Sequence, residues 1–245
     1  MIKLPAAFFN RNQLLISLVV LSFFSCSIHD KQKEKEAKPI KNAYASFYQK
    51  IDSGVQLLKD GDLVLRSGQE PASEFIRQLN RQDKTYSHAG IVFFNNGEPV
   101  VYHLIAGDEN PDEKLRKDSL IYFANPRKNN GFAIYRYNLD SIEAKKFKEV
   151  IENWYGKGLL FDYGFNLATD DKMYCSEMIK KGLAIATKKR VNISTTTPTE
   201  EEKSFFAQHT KTSLASLKGI TIVSIDNLYN NVNCRLVKRF TFNNY

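Results

Sequence analysis

The stretch Tyr86-Ser87-His88-Ala89-Gly90-Ile91-Val92-Phe93-Phe94, followed by Asn96-Gly97 and then by Glu98 to Ile105, restricts the fold more than any other part of the chain. The first run is rich in strand formers. Asn-Gly between two such runs supplies the positive-φ residues of a tight hairpin turn. With the loop at Asn96-Gly97, Asn95 faces Glu98 and His88 faces Ile105. His103 lies two residues from Ile105, so it shares a sheet face with His88 as its diagonal neighbour. Diagonal neighbours are roughly 7–8 Å apart, within reach of long side chains, and a bulge at the turn would shift the register and part them. The chain has 4 histidines, and this hairpin brings two of them to one face. The plainer reading of the same residues is one half-exposed and one core histidine with no shared role.

A second constraint lies at Lys172-Met173-Tyr174-Cys175-Ser176-Glu177-Met178. After Cys175 the apolar residues recur at Met178, Ile179, Leu183 and Ala186, which is helical spacing. Asp170 and Asp171 come just before, and Ser176 and Glu177 fall in the first turn, where capping groups and acids are favoured. The pattern starts a helix at Cys175. A thiol there faces unpaired N–H groups and the positive end of the helix dipole, and both favour thiolate. Cys175 is therefore a candidate nucleophile, and equally the small apolar residue that a core buries. Two further readings stand beside these. Cys175 and Cys234 would form a disulfide in an oxidising compartment. His88, His103 and Cys175 would hold zinc with an open position, although their long, irregular spacing argues against it. Ser176, Tyr163 and Tyr174 are candidate substrate contacts, with packing the plainer role for the tyrosines.

The rest of the chain supplies the frame. Tyr44, Phe47, Tyr48, Ile51, Val55 and Leu58 fall on one helical face. Lys59-Asp60-Gly61-Asp62 turns into a strand at Leu63 to Leu65, and Pro71 to Leu79 reads as a helix. Ala106 to Lys117 is polar and reads as a loop rimming a cleft. Leu120 to Phe123 and Phe132 to Tyr137 read as strands. A helix capped by Asp140 or Ser141 runs to about Tyr155. Ile220 to Ile225 and Cys234 to Phe242 are expected as strands that complete the sheet.

Before the domain come Lys3, Arg11 and the apolar run from Leu14 to Phe24, a charged region and a hydrophobic region too short for a membrane span of about 20 residues. Ser25-Cys26 ends it, in a pattern that resembles a bacterial lipobox. The resemblance implies a signal peptide over 1–25, lipidation at Cys26 and anchoring to the cell envelope. An ordinary cleaved signal and an uncleaved anchor are the other readings. Residues 26–42 are charge-rich and read as a solvated tether, leaving 43–245 as one domain. The formal charge is +8, and +6 from Cys26 onward once Lys3 and Arg11 are removed. These charges are scattered, without the clustered footprint that nucleic-acid binding needs.

Lys59-Asp60-Gly61-Asp62-Leu63-Val64, Ser87-His88-Ala89-Gly90-Ile91-Val92 and Tyr174-Cys175-Ser176-Glu177, in that order, resemble the permuted papain-like amidases of the YaeF/YiiX type, relatives of the NlpC-type cell-wall peptidases and of lecithin:retinol acyltransferase. The resemblance covers about Ala43 to Phe242. It implies an α+β fold in which a helix carrying the cysteine packs on an antiparallel sheet carrying the histidine. It implies Cys175 as nucleophile, His88 as general base and later acid, and His103 as orienting group, with a carboxylate or amide elsewhere as the alternative third member. It implies no cofactor. The expected function is an envelope-anchored cysteine hydrolase acting on an amide in peptidoglycan-derived or small peptides. A thiol acyltransferase or lipid esterase is the second reading, and an inactive envelope binding module the third.

Overall fold

The structure, a computed structural model, describes residues 44–209 and 212–242. The expected signal segment, Cys26 and the tether lie outside the described residues. No helix among the described residues is long and apolar enough to cross a membrane.

Helix α1 occupies residues 44–55. It is followed by β1 (Asp62–Gly68), α2 (Pro71–Gln78), β2 (His88–Asn95), β3 (Glu98–His103), β4 (Arg116–Asp118), α3 (Leu120–Phe123) and β5 (Asn129–Tyr137). Then come α4 (Ser141–Gly156), β6 (Leu160–Phe161), β7 (Lys172–Met173), α5 (Cys175–Ala186), α6 (Glu200–His209), α7 (Ile225–Tyr229) and β8 (Cys234–Thr241). Six strands form one sheet in the order β4-β3-β2-β1-β5-β8, and every neighbouring pair is antiparallel. β6 and β7 pair separately and in parallel.

Both faces of the sheet are covered, which is why its central strands read as continuous apolar runs. On one face Leu63, Leu65, Ala89, Ile91, Phe93 and Tyr102 pack with Met178, Ile179 and Leu183 of α5 and with Phe147 and Ile151 of α4. α4 and α5 touch closely at Gly182, where an added Cβ would lie 2.5 Å from the Phe147 ring. The other face packs Phe132 against Phe240, with ring centroids 4.6 Å apart, and Gly54 of α1 sits directly on Phe132. The β2–β3 register is the one the turn residues dictate: Asn95 faces Glu98 and Ile91 faces Tyr102, with Asn96 and Gly97 at positive φ.

Four expectations change. Arg116 and Lys117 are not loop but form a short edge strand with Asp118, with His103 facing Arg116. Its Arg-Lys-Asp sequence has no apolar alternation to betray it, and charged short edges are how sheets avoid further pairing. Leu120 to Phe123 is helix rather than strand. The Ser119 side chain accepts from Tyr122 N–H and caps a single turn, burying Leu120 and Phe123 and exposing Ile121 and Tyr122. Ile220 to Ile225 is not a sheet strand either. Ile222 makes one bridge with Thr196, and Ser224 then starts α7. Cys175 and Cys234 are both free thiols, so the disulfide reading falls.

Candidate active site

The hairpin closes the distance between its two histidines. His88 Nε2 lies 2.9 Å from His103 Nδ1, and His103 Nε2 lies 2.9 Å from Asp118 Oδ2. Asp118 is held in turn by Arg116, whose Nε is 3.1 Å from Oδ2. The three strands β2, β3 and β4 thus contribute one member each to a hydrogen-bonded file. An ionised carboxylate only accepts hydrogen bonds, so His103 carries its proton on Nε2 and accepts at Nδ1. His88 therefore carries its proton on Nε2, and its Nδ1 keeps a lone pair. Phe123 walls the pair, with ring centroids 5.6 Å from His88 and 5.2 Å from His103.

Charge and burial set the resting states. Burial, reinforced by Arg66 and His103, holds the His88 pKa well below the ordinary histidine value. Burial also lowers His103, against the opposing pull of Asp118. For Asp118, burial works upward, but the hydrogen bonds and charges of His103 and Arg116 together outweigh it and hold the carboxyl below its ordinary value. Both histidines are thus neutral at neutral pH and the aspartate is ionised.

Cys175 is the first residue of α5, with Tyr174 as N-cap. The thiol is half-buried. It sits against the backbone N–H of Ala89, the residue after His88, and against Ser176, and it feels the charge of Arg66. These favour thiolate, as the helix start does, but burial is the larger effect and raises the thiol above its ordinary pKa. The thiolate expected from the sequence is therefore not the resting form. Among the described residues His88 hydrogen-bonds to His103 and not to Cys175.

The other candidates separate. Ser176 is buried and its hydroxyl donates to Val223 O at 2.6 Å, while Tyr174 is buried with its hydroxyl accepting from Val223 N at 2.8 Å. The side chains of both tie the α5 N-terminus to the segment before α7. Tyr163 donates to Glu113 at 2.8 Å, and burial together with that bond pushes its pKa to about 12. A cavity of about 660 Å³ is lined by parts of 162–172 and 216–221, and none of Cys175, His88 and His103 reaches it. Two residues that sequence reasoning missed do reach the histidines. Asp118 comes directly after the expected loop and carries no strand signal of its own, and Arg66 lies directly across from His88 in the β1–β2 ladder.

Residues 57–235 match the permuted papain-like amidase enzymes of the YaeF/YiiX type, family C92. The chain belongs to this family. The crystal structure of YiiX from Escherichia coli O157:H7, described as a metalloprotein, is similar with a TM-score of 0.58 at 19% identity, covering 75% of this chain and 98% of that chain. At that identity the likeness is one of fold, and it agrees with the permuted papain-like arrangement of sheet and cysteine helix. No curated protein matches the chain. In this family member, no three His, Cys, Asp or Glu side chains among the described residues converge as a metal-binding group. The facing nitrogens of His88 and His103 stand at hydrogen-bond distance, and Asp118 takes the remaining nitrogen of His103, so the residues as arranged do not fit a metal.

Glu177, two residues past Cys175, is fully buried, and burial pushes its carboxyl up to about 7 against the opposing Lys181 ammonium and Tyr174 N–H. The folded protein then binds a proton between its ordinary value of 4.5 and about 7 that the unfolded chain has released. Stability from this group is fully present below 4.5 and lost as pH rises through about 7. Glu177→Gln is expected to be more stable than wild type at pH 8 by about 2 kcal/mol, roughly 4–8 °C in Tm, with the gap closing at about pH 5. Thermal melts at the two pH values check this, and an equal gap at both refutes it.

Proposed function

We propose that this family member is a cysteine hydrolase that cleaves an amide through an acyl-thioester on Cys175. The observation that carries the reading is the file His88–His103–Asp118, which leaves a lone pair on Nδ1 of a buried neutral imidazole one residue from the backbone group that touches the thiol. Nδ1 of His88 takes the thiol proton as sulfur attacks the carbonyl carbon. His103 holds the ring and, with Asp118, stabilises the imidazolium that forms. The Cys175 backbone N–H, without an intrahelical partner at this position, donates to the oxyanion. Collapse expels the amine, which takes the proton from His88. Water then attacks the thioester, His88 again accepts the proton, and carboxylate and thiol are released. The substrate is a peptidoglycan stem peptide or a related small peptide, reached from an envelope anchor on Cys26. The charge-rich residues 26–42 supply the reach.

The test is to incubate the protein with peptide amides and follow amine release alongside intact-protein mass. A transient acyl adduct that maps to Cys175 and disappears with hydroxylamine is expected, and alkylation of Cys175 should abolish turnover. Amine release that survives complete alkylation of Cys175 overturns the reading, and transfer of a fatty acyl group without amine release moves it to an acyltransferase.

A further inference from the structure

Arg66 is used by none of the steps above. It lies on a central strand opposite His88, is 4% exposed, and among the described residues its Nε has no hydrogen-bond partner. A buried guanidinium with an idle donor is costly unless something in its surroundings uses it. Among the described residues its ion-pair partner is Glu109, from the 104–115 loop, and the contact is long, at 3.4 Å from Nη2 to Oε2. The other Glu109 oxygen is 2.7 Å from Lys128 Nζ, and the Glu109 backbone carbonyl accepts from Arg116. These groups line a small recess together with His103 and Tyr122.

The charges are unequal. Arg66, Arg116 and Lys128 bring three positive charges to the recess, and Glu109 and Asp118 bring two negative ones. Asp118 is committed to His103 and Arg116. Glu109 is the anion that reaches Arg66, and it does so from a loop, with a contact longer than a good charge-assisted hydrogen bond. A carboxylate already sits where a planar donor fork and an ammonium converge, and it leaves one donor of that fork unused.

We propose that this recess is a subsite for a carboxylate of the substrate, with Arg66 and Lys128 as its ligands and Glu109 as a resident carboxylate that the substrate displaces. Displacement exchanges one carboxylate for another and frees the idle Nε to complete a bidentate pair. The substrate class this selects is a peptide with a free carboxylate close to the scissile amide. The inference rests on the reading of the site as an amidase. It deepens that reading by naming what is recognised beside the bond. Glu109 also serves as a gate against neutral amides, which offer nothing to replace its contact with Lys128.

Two readouts separate this from the catalytic reading. The first is the rate of Cys175 alkylation in the full chain in the presence of N-acetyl-Ala-Ala or of its C-terminal carboxamide, which needs no turnover. The carboxylate is expected to protect at a concentration at least about tenfold lower than the carboxamide. Lys128→Ala, on a half-exposed side chain, and Arg66→Met are each expected to erase most of that preference. Glu109→Gln is expected to strengthen protection by the carboxylate several-fold. The second readout is kcat/KM on amide substrates that differ only in a neighbouring carboxylate or carboxamide, where the same preference should appear in KM. Equal protection by the two ligands in wild type, a preference that persists in both cation variants, or protection by inorganic phosphate equal to that by the carboxylate overturns the proposal. Absence of turnover with preferential protection intact would instead count against the amidase reading and leave the subsite standing.

Discussion

Replacing His88 by alanine is expected to lower kcat/KM for amide cleavage by at least about 10³-fold, toward the upper part of what a positioned general base supplies. The size follows from the resting state of the thiol. Burial holds Cys175 above its ordinary pKa in spite of Arg66 and the Ala89 N–H, so little thiolate exists at neutral pH and a base has to remove the proton during attack. In an enzyme with a preformed thiolate the same substitution would leave a nucleophile behind. The residual activity of His88→Ala should therefore climb with pH, as hydroxide does what the imidazole did. In wild type the alkylation profile of Cys175 should lie above the unperturbed thiol value of about 8.5. The acid limb has the opposite sign. Because the His88 pKa is depressed, the base stays unprotonated below the ordinary histidine value, and wild-type kcat/KM should hold as pH falls through about 6.5. A far-ultraviolet spectrum and thermal melt guard against misfolding. A folded His88→Ala protein within tenfold of wild type would remove His88 from the mechanism.

The hairpin and the cysteine helix were legible because each rests on local chemistry. Asn96-Gly97 fixes a register, and a register fixes faces, so the meeting of His88 with His103 followed from counting. The spacing of Met178, Ile179 and Leu183 placed α5 and its first residue in the same way. What stayed hidden depended on partners distant in sequence. Arg116 to Asp118 has no pattern of its own and becomes a strand by pairing with β3. Ser119 turned an apolar run into a capped helical turn, a signal that was present at one residue and outweighed by the four that follow it. Arg66 comes directly after the expected strand Leu63 to Leu65, and only its place opposite His88 makes it part of the site. The ionisation of Cys175 was misjudged for a related reason. The helix start is visible in sequence, whereas the burial that overrides it belongs to the assembled fold.

Asp118→Asn tests the part of the site that the sequence did not reveal, and is expected to reduce kcat by about 10²-fold with KM changed less than about threefold. The carboxylate imposes a direction on the file because it can only accept, which puts the His103 proton on Nε2, the His88 proton on Nε2 and the lone pair on His88 Nδ1. An amide of the same shape presents NH₂ as readily as oxygen. With NH₂ toward His103, the ring accepts at Nε2, donates from Nδ1, and forces His88 to accept at Nε2 and carry its proton on Nδ1, where it cannot act as a base toward sulfur. The variant also lacks the negative charge that stabilises the imidazolium formed during attack. In serine hydrolases the equivalent change next to the base costs about 10⁴, and here one imidazole intervenes, which attenuates the field and gives the smaller figure. A purely structural role for Asp118, holding β4 to β3 with Arg116, predicts a different outcome: a lowered Tm with kcat restored on cooling. The relay predicts a kcat deficit that persists at temperatures where the variant is fully folded, together with an acid limb moved to still lower pH, because His103 no longer has an anion beside it. A folded Asp118→Asn enzyme with wild-type kcat and an unmoved acid limb would reduce the file to the two histidines.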